Sequence, residues 1–386
     1  MKKYIISLSC MLIMFAYTLC GGVVQMHTLY AEVEIATSAK SAVIVDYNSG
    51  EVIFEKNIEA RLPVASMVKL MTILLTCEEI NNGNLSLDTK IRTTENASKM
   101  GGSQVFIDPY VDYSCEDLLK SVIMASANDA SVALAEHISG SESVFVDKMN
   151  ERAKSLGLNN TLYANCTGLP APEQYSCAID CAKILSELVK HDCYKNYTNV
   201  WMDELVHPSG RKTELVNTNK LVRYYNGCDC GKTGSTNEAG YCLSASALKN
   251  DMRLICVVIG AKTGQDRFKE VSELFNYGFA NFANELIVDS SISLGEINIK
   301  FAKQSNILAY PKENFYALCK KGNKSQFEFD IVYDENLKAP LNKEQKVGRI
   351  VVTNNGKVVK EVDLVIKQEV EKVSYMDNIK TITSNW

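Results

Sequence analysis

The run Pro63-Val64-Ala65-Ser66-Met67-Val68-Lys69-Leu70-Met71-Thr72 carries the decisive pattern of this chain. Ser66 and Lys69 stand three residues apart, and on a helix such positions share a face, so the lysine amine can lie against the serine hydroxyl. A serine alone is a weak nucleophile and needs an adjacent base. A lysine serves as that base only where burial or a neighbouring cation lowers its pKa from about 10.4. The largely apolar stretch that follows, through Cys77, predicts a buried helix with Ser66 near its first turn. Ser-x-x-Lys alone also describes a capping serine beside a surface lysine. The apolar continuation counts against that.

Two further motifs lie downstream. Ser126-Ala127-Asn128 falls at a helix break between Ile123 and Asp129. Its hydroxyl and amide suit proton relay and the holding of a substrate amide, and the same residues suit a helix N-cap from Asp129 onward. Lys232-Thr233-Gly234 places a cation, a hydroxyl and an unobstructed backbone on a strand along which an extended peptide can lie. By itself it reads as a strand ending in a turn. Taken in order, the three motifs resemble the signature of the penicillin-recognising serine enzymes.

The resemblance continues through Gly101-Gly102-Ser103, Asn165-Cys166-Thr167-Gly168-Leu169, Asn217 to Leu221, Lys232 to Leu243 and Arg267-Phe268. Over roughly residues 38–283 the chain is similar to the serine D-alanyl-D-alanine carboxypeptidases, the low-molecular-mass penicillin-binding proteins of peptidase family S11. It departs from that pattern at Cys166-Thr167, at Ser235 and at Gly231, positions that bear on substrate preference and rate. The resemblance implies an α/β fold, a β-lactamase/transpeptidase-like antiparallel sheet with a helical subdomain, followed by a small C-terminal all-β domain. It implies peptidoglycan stem peptides ending in D-Ala-D-Ala as substrate, β-lactams as covalent inhibitors, and no metal or other cofactor.

The implied catalytic residues are Ser66 as nucleophile, Lys69 as general base and Ser126 as proton relay. Asn128 and Lys232 would hold Lys69, Ser126 and the substrate. Thr233 and Gly234 line the substrate strand, and the backbone amides of Ser66 and Ser235 would form an oxyanion hole. Arg267 offers a planar guanidinium for the substrate carboxylate, or else a helix-start arginine in a surface pair. A class A β-lactamase would need a deacylating glutamate in a Glu-x-x-Leu-Asn context, which the chain lacks. D,D-endopeptidase or transpeptidase action, and a non-catalytic penicillin-sensing wall protein, remain open to the sequence.

The bulk composition agrees. At 386 residues and 46% hydrophobic, the chain can bury ample core, and its net charge of −5 excludes a basic nucleic-acid footprint. Lys2 and Lys3, an uncharged stretch over 4–30 and Ala31 before Glu32 describe a secretory signal over 1–31, hence an exported protein acting at the cell wall or the outer membrane face. The same run would span a bilayer as an uncleaved anchor; Ser7, Ser9, Gly21 and Gly22 thin it and favour cleavage. Thirteen cysteines are present, most within apolar runs, which reads as buried thiols rather than disulfides or zinc. Cys228 with Cys230, and Cys177 with Cys181, have spacings zinc could use, but four histidines and no paired C-x-x-C unit speak against it.

Strand-like runs at 41–46 and 51–55, and at 240–248 and 252–260, predict two hairpins. Residues 84–225 read mostly as helices and loops, and 268–282 as an amphipathic closing helix. The peptidase domain is expected over 32–284 and the β domain over 285–386, with strands at 292–301, 326–333, 348–353 and 358–366. The tail from Ser374 to Trp386 has a thin apolar face and Lys380 as its one positive charge, which is slender support for membrane-surface association there.

Overall fold

The computed structural model describes residues 35–304, 306–322 and 326–374. The segment expected to be a secretory signal, with Cys10 and Cys20, and the tail beyond Ser374 lie outside the described residues.

The first hairpin forms as the alternation predicts, from β1 (Ser41–Asp46) and β2 (Val52–Lys56). A single 3-10 turn, Ala65–Val68, then leads into α1 (Lys69–Asn81). Ser66 therefore sits in a tight turn before the helix rather than on it. The helical part follows: α2 (Cys115–Ala125), α3 (Asn128–Ser139), α4 (Glu142–Ser155), α5 (Ala178–Leu188) and α6 (Asp192–Thr198).

Two small hairpins interrupt this part where the sequence reading expected helices and loops. They are β3 (Lys90–Arg92) with β4 (Asp112–Ser114), and β5 (Met202–Val206) with β6 (Lys212–Val216). Strands β5 and β6 bury one residue each, Leu205 and Leu215. One buried residue per strand leaves no alternating pattern to read.

The chain returns through β7 (Cys228–Thr236), β8 (Gly240–Lys249) and β9 (Met252–Ala261) to a sheet of order β2-β1-β9-β8-β7, antiparallel throughout. Val43, Val45, Ile255, Val257 and Ile259 join the core shared with the helical part. On the other face Ile44 and Leu254 meet Gly278 of the closing helix α7 (Gly264–Asn281). Strands buried on both faces read as unbroken apolar runs, as β1 and β9 do. Asn250 and Asp251 at the β8–β9 turn both have positive φ, 48° and 62°, as a two-residue hairpin turn requires.

The helix expected to reach Phe282 stops one residue earlier. Phe282 has an extended backbone and opens β10 (Phe282–Val288), so the expected boundary at 285 falls inside a strand. The C-terminal part adds β11 (Glu296–Ile297), β12 (Ile307–Pro311), β13 (Phe315–Lys320), β14 (Phe327–Tyr333), β15 (Lys346–Asn354) and β16 (Lys357–Ile366). They form a sheet of order β11-β12-β16-β15-β14 and a β10–β13 pair. The run at 292–301 yields only the two-residue β11. Strands β10, β12 and β13 were not anticipated, being short and interrupted by polar residues or Pro311.

Candidate active site

The turn that carries Ser66 is held under close backbone contact from two sides. Ala65 has φ 48°, a left-handed conformation that costs a non-glycine residue energy and persists only where its surroundings impose it. A Cβ on Gly234 of β7 would stand 2.5 Å from the Val64 carbonyl oxygen and 3.0 Å from the Ser66 amide nitrogen. A Cβ on Gly168, whose φ is +80°, would overlap the Ala65 carbonyl. Both glycines let neighbouring backbone press against Ser66.

Lys69 is fully buried, and its Nζ donates to Ser66 Oγ at 3.2 Å and to the Thr167 carbonyl at 2.5 Å. Burial pushes the amine down to about 7, against smaller opposing effects of Cys166 and Asp129. A large neutral fraction therefore exists at neutral pH. The Thr167 carbonyl is aimed by an Asx turn: Asn165 Oδ1 accepts from the Thr167 and Gly168 amides at 3.1 and 2.7 Å.

Ser126 ends α2 in a left-handed conformation, φ 61°, and Lys232 Nζ donates to its Oγ at 2.7 Å. Lys232 is buried, and burial, with the charges of Lys69 and Arg267, lowers its pKa well below the ordinary lysine range. The capping role considered for Ser126 is not taken up. Ala127 is the N-cap of α3 and makes no side-chain cap bond, because the Ser126 hydroxyl faces Lys232.

Asn128 also differs from expectation: it does not hold Lys69. Its Nδ2 donates to the Gly101 carbonyl at 2.6 Å, while its buried Oδ1 has no partner among the described residues. Next to it, the buried Asp129 carboxylate accepts from the amides of Val105, Ile107 and Ala130. Thr233 is buried on β7, and Ser235 is exposed one residue beyond Gly234.

Arg267, in the first turn of α7, donates through Nη1 to the carbonyls of Gly234 at 3.2 Å and Cys242 at 3.4 Å. Its Nε is buried without a partner among the described residues, its guanidinium lies 4.7 Å from the Phe268 ring centroid, and burial lowers its pKa. Among the described residues no carboxylate pairs with it, so the surface-pair reading fails. The sequence marked Gly101–Ser103 and Asn165–Leu169 only as points of resemblance, with no supporting role, and the carboxylate of Asp129 gave no signal of one.

A profile described as D-alanyl-D-alanine carboxypeptidase matches residues 27–263, and one described as the penicillin-binding protein 5 C-terminal domain matches residues 282–372. The chain belongs to the D-alanyl-D-alanine carboxypeptidase family. Within it, the chain is 39% identical to the D-alanyl-D-alanine carboxypeptidase DacF of Bacillus subtilis, covering 92% of this chain and 91% of DacF. It is 31% identical to the D-alanyl-D-alanine endopeptidase of Escherichia coli over 71% of this chain and 88% of that protein. The crystal structure of penicillin-binding protein 5 from Haemophilus influenzae superposes with a TM-score of 0.72 at 31% identity, over 87% of this chain and 98% of that one.

The fold is that of this carboxypeptidase family, with the all-β C-terminal domain appended. In this member the eleven described cysteines are buried. No group of three or more metal-ligating side chains occurs among the described residues.

Proposed function

We propose that this carboxypeptidase removes the terminal D-alanine from peptidoglycan stem pentapeptides through an acyl-enzyme on Ser66. The observation that carries the reading is the buried amine of Lys69, 3.2 Å from Ser66 Oγ and brought to about 7. The neutral amine takes the hydroxyl proton as Oγ attacks the carbonyl carbon of the penultimate D-alanine. The amides of Ser66 and Ser235 receive the developing oxyanion. Ser126, bound to Lys232, passes a proton to the leaving nitrogen, and the C–N bond breaks. Water then cleaves the ester, releasing the shortened peptide and restoring Ser66.

Asn128 Oδ1, buried and unpartnered, is suited to accept from a substrate amide, and Arg267 to bind the terminal carboxylate. Thr233 and Gly234 align the peptide on β7. The substrate places the enzyme outside the cytoplasm, exported by the 1–31 segment, with weak membrane-surface contact through the tail.

The test is labelled penicillin followed by peptide mapping. The label is expected on Ser66 with slow release, and Ser66→Ala should lose both the label and D-alanine release from a pentapeptide. Intact protein that takes up no label and frees no D-alanine would show a non-catalytic wall-binding protein. The similarity to an endopeptidase supports a second reading, separated from the first by supplying a cross-linked muropeptide in parallel and comparing rates.

A further inference from the structure

The C-terminal sheet ends on β14, an edge strand whose only strand neighbour among the described residues is β15. Phe327, Phe329, Ile331 and Tyr333 point to one face of β14, since side chains alternate along a strand. That face continues the core: Phe329 pairs with Val352 and Ile331 with Ile350, both buried. Yet Phe329 is 50% exposed and Ile331 42%. They line one wall of an open groove of about 410 Å³, with Leu286, Ile292 and Leu294 among the residues opposite. Ile292 is 58% exposed and Leu286 45%. The domain core is thus left open along the strand whose ladder is also open.

The other face of β14 carries Glu328, Asp330 and Val332, all exposed, with Asp334 and Glu335 following. None of the four acids forms an ion pair among the described residues. A long, flat, apolar edge is a template for a further strand, and proteins usually blunt such edges. The acids act selectively. In a two-fold antiparallel pairing of β14 with itself centred on Asp330, the two Asp330 side chains would stand opposite one another, and like charges in that position are destabilising. That register is closed to a second copy, whereas a cation opposite Asp330 or Glu328 is attracted.

We propose that β14 and its groove bind an extended segment of another polypeptide in which apolar residues alternate with lysine or arginine. The segment adds a sixth strand beside β14. Its apolar side chains fill the groove against Phe329, Ile331 and Ile292, and its cations lie beside Glu328 and Asp330 on the opposite face. Main-chain bonds supply attachment, and the alternation supplies specificity.

The test uses the full chain and fluorescein-labelled octapeptides in a polarisation titration. One peptide alternates valine and lysine, one alternates valine and glutamate, and one carries four valines followed by four lysines. Saturable binding is expected for the first and not for the other two. Phe329→Ser, and Glu328→Lys combined with Asp330→Lys, should each weaken binding by about tenfold or more, with penicillin acylation at Ser66 unchanged as the check on folding. Equal binding of the block peptide, or indifference to both variants, overturns the proposal. So does concentration-dependent dimerisation lost in Phe329→Ser, which assigns the edge to a second copy. Binding to phosphatidylglycerol vesicles lost in the same variant assigns it to lipid and overturns the proposal as well.

Discussion

Lys69 meets two demands that oppose each other. Burial lowers its pKa to about 7, making a base, and the same burial penalises its charged form. Acylation by penicillin should therefore rise with pH through about 7 and then level, as followed by stopped-flow kinetics. Lys69→Ala should keep the fold and lose about 10²–10⁴-fold in acylation rate. The stability consequence has a definite sign. The folded value lies below the unfolded one of 10.5, so the unfolded chain holds more protons between the two. Stability should fall as pH drops from about 10.5 to about 7 and flatten below, and Lys69→Met should lessen that slope in denaturant titrations across the window. The neighbouring glycine admits a sharper test. Gly234→Ala places a Cβ 2.5 Å from the Val64 carbonyl oxygen, so it should slow acylation by displacing β7 from Ser66 while leaving the helical part folded by circular dichroism.

The β5–β6 hairpin, invisible in the sequence pattern, supports the site through His207. Arg211 Nη2 donates to His207 Nδ1 at 3.0 Å. Because arginine only donates, Nδ1 is unprotonated, and Nε2–H donates to Thr213 Oγ1 at 2.8 Å. Thr213 Oγ1 donates in turn to the Val105 carbonyl, and Arg211 to that of Phe106. The hairpin thereby grips the loop whose amides hold Asp129 and whose Ser103 carbonyl receives the Asn128 amide. Burial first, then Arg211, lowers the His207 pKa, against Asp108, Asp129 and Asp117. Its stabilisation is present above the unfolded value near 6.5 and lost as pH falls below it. His207→Phe removes the bond to Thr213 Oγ1 and the 2.8 Å bond between Nδ1 and the Tyr113 hydroxyl, which then keeps only Asp108. A destabilisation of about 1–3 kcal/mol is expected by urea titration, with penicillin acylation slowed as Asn128 loses its backing. Unchanged acylation at full stability would remove the hairpin from this role.

Across the whole molecule most of the described thiols behave as small apolar side chains, Cys193 excepted, whose bond to Cys77 lowers its pKa. The eleven described cysteines are buried, and burial drives those of Cys166, Cys230 and Cys256 well above the ordinary thiol range. Native protein should hold these thiols unreactive to Ellman's reagent until denatured, and D-alanine release should be indifferent to reductant and chelator. Loss of activity on chelation would restore a zinc reading for Cys228 and Cys230. The sequence by itself determined the three motifs, the two long hairpins, the buried first helix and a terminal β region. Each is signalled locally, by side-chain spacing, by alternation or by turn residues such as Asn355 and Gly356, both at positive φ. Only the tertiary structure decided which groups face one another. Lys69 answers to Thr167 because a loop 98 residues away in sequence places its carbonyl there. Ser126 answers to Lys232 across 106 residues, and Asn128 turns to Gly101 instead of Lys69. Depressed lysine pKa values and an uncovered β14 edge belong to burial and strand order, which arise only when distant segments pack together and exclude water.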